Sequence, residues 1–434
     1  MYKTYQQDIK FLESLVNIPK TTYLLGPKDK HVFIERLKRF LNLVGNPQNN
    51  LKFIHIAGTS GKGSTVKVLE SLMTDANFKV GSFTSPFATT SIEKVSINNQ
   101  LMSPDDFHNI LEKELKPALD KYSLKFSDPI SYFEAWLVIA FLYFKKQKCD
   151  WVVLETGLGG LHDATNVIGS PKITAITNIG LDHTHILGNT KTAIAKDKAG
   201  IIKKNSLFLT TEKNKKLLEI FENTCRRKQA WFMETQNLVK NYKTTNYFST
   251  DKQRENLNLA LNILDLLKIS PPNTQKIIRG FKLTCRQEIV QNKPTVILDG
   301  AHNTDKLNNL IAFVKKQGYN KLHLIVGFAE NKNITAPLKK LLTISGQVYL
   351  TRFLIGERKT ADLRQLYEKS KKISPRLPIN VYNDPWQALE QALKKASPKD
   401  LILITGSFFL CGELRTKWIN EEHILKNLKL DKRS

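Results

Sequence analysis

The sequence is poor in cysteine and in long apolar runs, and each shortage excludes a class of protein. Its four cysteines, at positions 149, 225, 285 and 411, show no CxxC or CxxH spacing, which argues against a zinc site or a disulfide framework. The apolar run at residues 136–144 falls far short of the roughly 20 residues of a membrane span. The first 15 residues lack the apolar segment and cleavage site of a secretion signal. We therefore expect a soluble cytoplasmic protein that does not bind membranes.

Acidic residues are also scarce, because 40 aspartates and glutamates face 66 lysines and arginines, for a formal net charge of +26. The excess suggests anionic partners such as nucleic acid, phosphates or carboxylates, but it does not specify a fold. The chain shows no zinc finger, no RNP-type aromatic motif and no dense basic helix, so we expect no nucleic-acid partner. The charge is better explained by attraction of small acidic molecules.

Apolar runs typical of buried strands alternate with helical patterns, one of them at 131–147. The predicted strands lie at 52–58, 79–84, 150–157 and 172–180, and then at 295–300, 321–327, 347–351, 379–383 and 400–406. This alternation indicates parallel sheets covered on both faces, whereas residues 203–254 are lysine-rich and weakly periodic. The 434 residues are too many for one compact domain. We predict an α/β protein with an N-terminal P-loop-type parallel-sheet ATPase domain (1–285), a linker (286–293) and a smaller Rossmann-like C-terminal domain (294–434).

The most informative motif follows the first strand, where Gly58-Thr-Ser-Gly-Lys-Gly-Ser-Thr65 precedes a helical pattern. Small residues let successive backbone N–H groups converge on phosphate oxygens, and Lys62 can reach a terminal phosphate. The spacing is not that of the usual P-loop, because two residues rather than four separate the first glycine from Gly61-Lys62. The residues expected to bind ATP here are Thr59, Ser60, Gly61, Lys62, Gly63 and Ser64.

This loop resembles that of the Mur ligase superfamily, and within it that of the folylpolyglutamate synthase/dihydrofolate synthase family. Further motifs of the family occur in the same order, namely Thr84-Ser85-Pro86, Glu93-Lys94, Tyr132-Phe133-Glu134, Glu155-Thr-Gly-Leu-Gly-Gly160, Asp163-Ala-Thr-Asn166, Leu181-Asp182-His183-Thr184, Lys198-Ala-Gly-Ile201 and Asp299-Gly-Ala-His302-Asn303. The resemblance implies an ATP-dependent ligase, commonly a monomer, that adds L-glutamate to dihydropteroate, to the γ-carboxylate of folate glutamate tails, or to both. The implied reaction passes through an acyl phosphate, releases ADP and phosphate, and belongs to folate biosynthesis.

The resemblance also implies a magnesium site, with two ions expected. Ser85, Glu155 and His183 lie at or just beyond strand ends, where the loops of a parallel sheet converge. Their hydroxyl, carboxylate and imidazole groups suit such a site, with waters and phosphate oxygens completing the octahedron. Lys198 matches a family lysine that carries a carbamate, an anion able to bridge toward a metal. The residues expected to act in catalysis are Lys62, Lys198 and His302.

The remaining motifs imply residues that bind the acceptor and the nucleotide. The expected dihydropteroate-binding residues are Ser131, Tyr132, Phe133, Glu134, His162, Asp163 and Ala164, since an aromatic wall with a carboxylate suits a flat pterin. Asn256, Arg286 and Asp299 match family positions that contact ATP, and we expect domain closure to complete that site. Departures from the family pattern occur at Leu161, Phe87, Asn331, Asn333 and Thr304.

Three alternative hypotheses keep part of this interpretation. A Mur ligase acting on cell-wall precursors would keep the loop and both domains, but the motifs at 132–134 and 155–160 argue against it. A catalytically silent folate-binding relative disagrees with the presence of the motif residues Lys62, Glu155, His183 and Lys198. A nucleic-acid-binding NTPase fits the charge alone.

Overall fold

A computed structural model describes residues 2–15, 31–244, 246–330, 334–354 and 359–430. The chain divides into two compact units, the first made of Met1–Pro86 and Ser91–Gly280 and the second of Phe87–Thr90 and Phe281–Ser434. Two of the departures noted above, Asn331 and Asn333, lie outside the described residues. Within the described ranges, no helix combines the length and the apolarity that a membrane crossing requires.

The first unit is built on an eight-stranded sheet. Its strands are β1 Phe53–Ala57, β2 Val80–Phe83, β3 Val95–Ile97, β4 Gln100–Leu101, β5 Trp151–Glu155, β6 Ile173–Ile176, β7 Leu207–Thr210 and β8 Trp231–Phe232. They lie in the order β4-β3-β2-β5-β1-β6-β7-β8. The sheet is parallel from β2 to β8, while β3 and β4 extend it as antiparallel strands.

Strand β1 lies inside this sheet and is parallel to both of its neighbours. Ile54 pairs with Val153 of β5 on one side and with Ile173 of β6 on the other. From β1 the chain continues to β2 on the β5 side, whereas from β6 it continues away to β7. The loops after β1 and β6 therefore diverge at a topological switch point, the place where open α/β sheets bind ligands.

Helices flank this sheet. They are α1 Tyr2–Ser14, α2 His31–Leu43, α3 Lys62–Asp75, α4 Pro104–Ile110, α5 Lys116–Ser123, α6 Tyr132–Lys146, α7 Thr184–Leu187, α8 Lys191–Lys198, α9 Lys215–Lys228, α10 Asp251–Leu266 and α11 Thr274–Gly280. A π-helical turn at Leu111–Leu115 joins α4 to α5. Helix α6 is buried from Glu134 to Phe144, in keeping with a segment that is apolar on all sides.

The second unit contains a six-stranded sheet. Its strands are β9 Glu288–Asn292, β10 Thr295–Asp299, β11 Leu322–Val326, β12 Gln347–Leu350, β13 Ile379–Val381 and β14 Leu401–Thr405, and its helices are α12 Thr304–Val314, α13 Thr335–Ile344, α14 Leu363–Ile373, α15 Pro385–Lys395, α16 Phe408–Arg415 and α17 Glu421–Asn427. The strand order is β13-β12-β11-β14-β10-β9, parallel except for β9. Both faces are covered, since Ile297 and Leu298, neighbours on β10, belong to different apolar clusters.

Four residues from the first half of the chain belong to the second unit. Residues 87–90 are grouped with it, and Ala88 lies in one of its apolar clusters. A Cβ atom at Gly412 would lie 1.7 Å from the carbonyl oxygen of Ala88, so this approach requires glycine. The guanidinium of Arg415 donates to the Thr89 hydroxyl at 3.3 Å and holds the same segment.

The predicted α/β class and all nine predicted strands are confirmed. The segment 286–293, predicted to be a linker, contains strand β9, which pairs antiparallel with β10 and has only two apolar residues, Ile289 and Val290. Sequence patterning also missed β7 and helix α9. On α9, Leu217, Phe221 and Cys225 form a narrow buried stripe that the many surrounding lysines and arginines obscure.

Candidate active site

The glycine-rich loop after β1 is held against the segment that follows β6. The Thr59 hydroxyl donates to the carbonyl oxygen of Gly180 at 3.1 Å and accepts from the Gly180 amide at 2.9 Å. The backbone amide and the hydroxyl of Ser60 both donate to the Asn178 side chain, at 3.0 and 3.2 Å. Neither Asn178 nor Gly180 was singled out from the sequence, although both lie within the strand predicted at 172–180 and follow the observed strand β6. The loop is thus fixed at the topological switch point.

Gly61 is the N-cap of helix α3, and its positive φ of 88° is a backbone conformation that favours glycine. A Cβ atom there would lie 2.2 Å from Oδ1 of Asn256, so α10 brings this amide directly onto the loop. A Cβ atom at Gly63 would lie 3.1 Å from Oε2 of Glu155. Ser64 is buried and its hydroxyl is hydrogen-bonded to that of Tyr247 at 2.6 Å. The glycines therefore leave room for Asn256 and Glu155 beside the start of α3.

Lys62, Glu155 and Ser85 come together although they are far apart in sequence. The Lys62 ammonium donates to the Gly58 carbonyl oxygen at 3.1 Å and lies 3.8 Å from Oε1 of Glu155. The backbone amide of Ser85 donates to Oε2 of Glu155 at 3.1 Å. These residues lie at the carboxyl ends of the neighbouring strands β1, β5 and β2. A carboxylate and a hydroxyl beside a phosphate-binding loop supply the oxygen ligands that Mg²⁺ prefers.

His183 and Lys198 belong to the loops and helices after β6. His183 precedes α7 with a φ of 50°, and its Nε2 lies 3.8 Å from Oδ1 of Asp182. Lys198 ends α8 and is only 4% exposed. Burial, together with the nearby charge of Lys62, lowers the pKa of Lys198 to about 7, while Asp197 opposes the shift. A large fraction of this amine is therefore neutral at neutral pH.

The expected acceptor wall begins with a helix cap. Ser131 is the N-cap of α6 and forms a capping box with Glu134. The Glu134 carboxylate accepts from the amide and hydroxyl of Ser131 at 2.8 and 2.7 Å. It also forms an ion pair with Arg36 of α2 at 2.8 Å, with the Glu134 side chain 2% exposed. Glu134 therefore anchors the start of α6 to α2, and the sequence signal for this role is the Ser-x-x-Glu spacing itself.

We predict that Glu134→Ala lowers the free energy of unfolding by about 3–5 kcal/mol, because it leaves the buried Arg36 guanidinium without its partner. Urea denaturation followed by circular dichroism measures this change. The matched control is Glu35→Ala, which removes an exposed ion pair with Lys38. The side chain of Glu35 is 57% exposed and that of Lys38 is 51% exposed. That change should cost no more than about 1 kcal/mol. Equal losses of unfolding free energy in the two variants would contradict the role of Glu134 as a buried anchor between α6 and α2.

The two aromatic residues of this motif have polar and apolar surroundings, respectively. The Tyr132 hydroxyl accepts from the ammonium of Lys94 at 2.9 Å, and that ammonium also lies over the Tyr132 ring, 4.9 Å from its centroid. Phe133 packs edge-on against Phe83 of β2 at 5.6 Å. A Cβ atom at Gly157 would lie 2.7 Å from the Phe133 ring, so this glycine lets the loop after β5 close on the aromatic wall.

Asp163 holds the loop after β5 rather than facing outward. It is buried and is the N-cap of a short 3₁₀ helix, Ala164–Val167. Its carboxylate accepts from the Leu158 amide at 2.7 Å and from the Thr165 amide at 3.0 Å, and also from the Thr165 hydroxyl. Burial raises the pKa of Asp163, and these hydrogen bonds oppose the shift. The flanking His162 and Ala164 are only partly buried.

Three further predicted residues lie within the second unit. Arg286 stacks on Phe408 with its Cζ 3.6 Å from the ring centroid, and its Nη1 is buried without a hydrogen-bond partner in the described part of the chain. Asp299 accepts from the amides of Gln287 and Ala301 at 2.9 and 2.8 Å, a strand-end turn. Burial raises the pKa of Asp299, and the Arg286 guanidinium opposes the shift. A buried guanidinium with a spare donor is suited to an anionic ligand.

His302 is held from both ring nitrogens. Its Nδ1 lies 2.9 Å from the Gly300 carbonyl oxygen and its Nε2 lies 3.2 Å from the ammonium of Lys306. Since a carbonyl oxygen can only accept, Nδ1 carries the proton and Nε2 accepts from Lys306. Lys306 was not singled out from the sequence, although it stands one helical turn after His302.

Comparisons with known proteins agree with this architecture. The Mur ligase middle domain matches residues 56–266 and the Mur ligase glutamate ligase domain matches residues 285–408. The chain is 31% identical to the dihydrofolate synthase/folylpolyglutamate synthase of Bacillus subtilis, covering 88% of this chain and 94% of the relative. It is also 31% identical to the dihydrofolate synthetase of Saccharomyces cerevisiae, covering 88% and 96%.

A solved relative adds ligands to the comparison. It is a bifunctional folylpolyglutamate synthase/dihydrofolate synthase with Mn, AMPPNP and L-glutamate bound, 25% identical with a TM-score of 0.78, covering 95% of this chain and 97% of that one. The two units and the loop after β1 thus define a Mur ligase, an ATP-dependent glutamate ligase. Within that class, the chain belongs to the dihydrofolate synthase/folylpolyglutamate synthase family.

Proposed function

We propose that the enzyme joins L-glutamate to the carboxylate of dihydropteroate, to the γ-carboxylate of folate glutamate tails, or to both. The observation that carries the proposal is the convergence of Lys62, Glu155 and Ser85 at the carboxyl ends of three adjacent strands. The acceptor carboxylate attacks the γ-phosphorus of ATP and ADP leaves. The glutamate amine then attacks the acyl phosphate, loses a proton and displaces phosphate. Both steps concentrate negative charge, which requires fixed cations and oriented donors rather than a covalent nucleophile.

The proposed nucleotide site uses the loop at 59–64, whose backbone amides at the start of α3 face phosphate oxygens. Asn256, held against Gly61, contacts the adenine. In the second unit, the spare donor of Arg286 is suited to bind a phosphate, Asp299 to accept from a ribose hydroxyl, and His302 to stabilise a transferring phosphoryl group. The oxygens of Asp299 each use one lone pair in the strand-end turn, which leaves acceptor capacity for a hydroxyl.

The proposed metal site for Mg²⁺ comprises Ser85, Glu155, His183 and a carboxylated Lys198, with two ions as the expected number. The donor set fits, because it combines oxygen ligands with a buried amine that is readily neutral and so able to take up CO₂. Bound there, Mg²⁺ would neutralise charge on the phosphates. The role of the protein is to hold Glu155 between Lys62 and the Ser85 amide.

The proposed acceptor wall is formed by Tyr132 and Phe133, with His162 and Ala164 at its edge. Ser131, Glu134 and Asp163 act on the acceptor indirectly, because their polar atoms already hold the start of α6 and the loop after β5. A monomeric state and a cytoplasmic location stay predictions from the sequence.

The proposal is tested by an assay with ATP, Mg²⁺ and L-glutamate in which dihydropteroate and tetrahydrofolate are offered separately. We expect glutamate-dependent release of phosphate and a product longer by one glutamate with at least one acceptor, identified by mass spectrometry. Activity with only one of them decides between the two synthase activities. The proposal would be contradicted if no product formed with dihydropteroate and none formed with tetrahydrofolate.

A further inference from the structure

Helix α3, which begins at the phosphate loop, carries two different faces. Val66, Leu69 and Met73 are fully buried in the apolar core. A second row, which we call the polar stripe, consists of Lys67, Glu70, Ser71 and Thr74. The spacing i, i+3, i+4 and i+7 places these residues on one face of the helix. A helix face with this spacing that packs against the rest of a protein is normally apolar. The polar stripe packs against β2, β3 and the turn at Asn98-Asn99.

Glu70 is the centre of this contact and is 0% exposed. Its Oε2 accepts from the Lys67 ammonium and the Ser82 hydroxyl, both at 2.8 Å. Its Oε1 accepts from the Ser96 hydroxyl at 2.6 Å and the Asn99 amide at 2.9 Å. Two donors on each oxygen satisfy the carboxylate completely.

The ammonium of Lys67 is equally well satisfied. Besides Glu70 it donates to the hydroxyls of Ser82 and Ser96, at 2.9 and 2.6 Å, so each of its three protons has an acceptor. Buried ion pairs can often be replaced by apolar residues without loss of stability, so stability alone does not explain this network. Its directional bonds instead allow one rotation and one axial position of α3 on the sheet.

The elements joined by the network carry the proposed ATP and metal site. Lys62 starts α3 two turns before Glu70, and Ser85 follows Ser82 by three residues at the end of β2. A rotation or slide of α3 against β2 would therefore change the 3.8 Å separation of Lys62 and Glu155, since Glu155 is held by the Ser85 amide. The hydrogen bonds of the network join Lys67, Glu70, Ser82, Ser96 and Asn99, and none of these bonds involves Lys62, Ser85 or Glu155.

We propose that Glu70, together with Lys67, Ser82 and Ser96, positions the phosphate loop relative to Ser85 for binding of ATP with its metal. The inference rests on the proposed function of the loop and of Ser85. Glu70 is a positioning residue, so its loss should change the parameters for ATP and metal while leaving glutamate binding intact.

The test is Glu70→Gln, which keeps the shape of the side chain and removes its charge. We expect the KM for ATP and the half-saturating Mg²⁺ concentration to rise by about ten-fold, with the KM for glutamate within about two-fold of the wild-type value. Unchanged ATP and Mg²⁺ parameters in the folded variant would overturn the proposal. Activity is compared at a temperature where circular dichroism shows both proteins folded.

Two further variants keep the test decisive if Glu70→Gln does not fold. In Lys67→Met with Glu70→Met, an apolar pair replaces the ion pair, and we expect the melting temperature to stay near that of the wild type while the KM for ATP stays raised. If both the melting temperature and the KM for ATP of the double variant matched the wild type, the ion pair would have a purely structural role and the proposal would be overturned. Ser96→Ala should raise the KM for ATP about two- to three-fold, whereas Ser370→Ala, the same change at an equally buried site of α14, should not.

A separate outcome concerns the proposed function itself. If Lys62→Ala retains the wild-type KM for ATP and turnover, the loop assignment fails, whatever the Glu70 variants show. If Lys62→Ala is inactive and Glu70→Gln is unchanged in its ATP and Mg²⁺ parameters, only the positioning role fails.

Discussion

Lys62→Ala is expected to lower kcat by about 10²–10³-fold, because the transferring phosphoryl group loses a fixed cation. The Lys62 ammonium is anchored on the Gly58 carbonyl at 3.1 Å and lies 3.8 Å from Glu155, so it points back over the loop. Its side chain is 16% exposed, which places the charge where water screens it weakly. Phosphate release with saturating ATP and glutamate measures the effect.

The matched control for this prediction is Lys216→Ala, which removes an exposed lysine from α9 of the same unit. It should leave turnover within about two-fold of the wild-type value, because one exposed charge contributes little through a screened surface potential. An equal loss in the two variants would mean that general attraction of anions, given the net charge of +26, explains the effect. Wild-type turnover in Lys62→Ala would remove the catalytic role.

Lys198→Ala is expected to reduce turnover by about 10²-fold or more, because it removes the amine that would carry the proposed metal-binding carbamate. Carbamate formation needs the neutral amine, whose nitrogen attacks the carbon of CO₂ and releases one proton. Burial and the charge of Lys62 lower the pKa of Lys198 to about 7. The neutral fraction rises as the pH rises through that value, so carbamate should be scarce below it and increase above it.

Carbon-13 NMR of the enzyme in labelled bicarbonate measures the carbamate directly. We expect a carbamate signal in the wild type and in Lys196→Ala, which removes an exposed lysine two residues away on α8, and its loss in Lys198→Ala. A short carboxylic acid such as acetate should restore part of the activity of Lys198→Ala by filling the vacated space. A fully active enzyme without the signal would contradict the carbamate.

Sequence patterning identified the buried strands because their apolar runs are continuous, and it identified the loop because its small residues stand directly between a strand and a helix. Sequence patterning failed for elements that have only a few apolar residues. Strand β9 has only two apolar residues, Ile289 and Val290, and on α9 three buried apolar residues are diluted by basic ones. The formation of these elements depends on pairing and packing with distant segments more than on the intrinsic secondary-structure propensity of their residues.

The site residues were predicted from family motifs, and the structure gives two of the acidic residues among them a local structural role. Glu134 and Asp163 are acids in family motifs, but both are buried and their oxygens cap local structure. The Ser-x-x-Glu spacing at 131–134 already contains the information for Glu134, because it is the signature of a capping box. Asp163 has no such marker, since its partner Leu158 lies earlier in a loop of irregular shape.

The sequence by itself determined the class of this protein: two α/β units, a phosphate loop with a shortened spacing, and an ordered set of motifs that lead to its family. These are local or sequential properties that can be read along the chain. Only the tertiary structure decided that Glu155 lies between Lys62 and Ser85, that Lys198 is buried, and that Glu70 joins the loop helix to β2 and β3. Such contacts depend on the strand order β2-β5-β1-β6, and that order follows from the packing of all elements together.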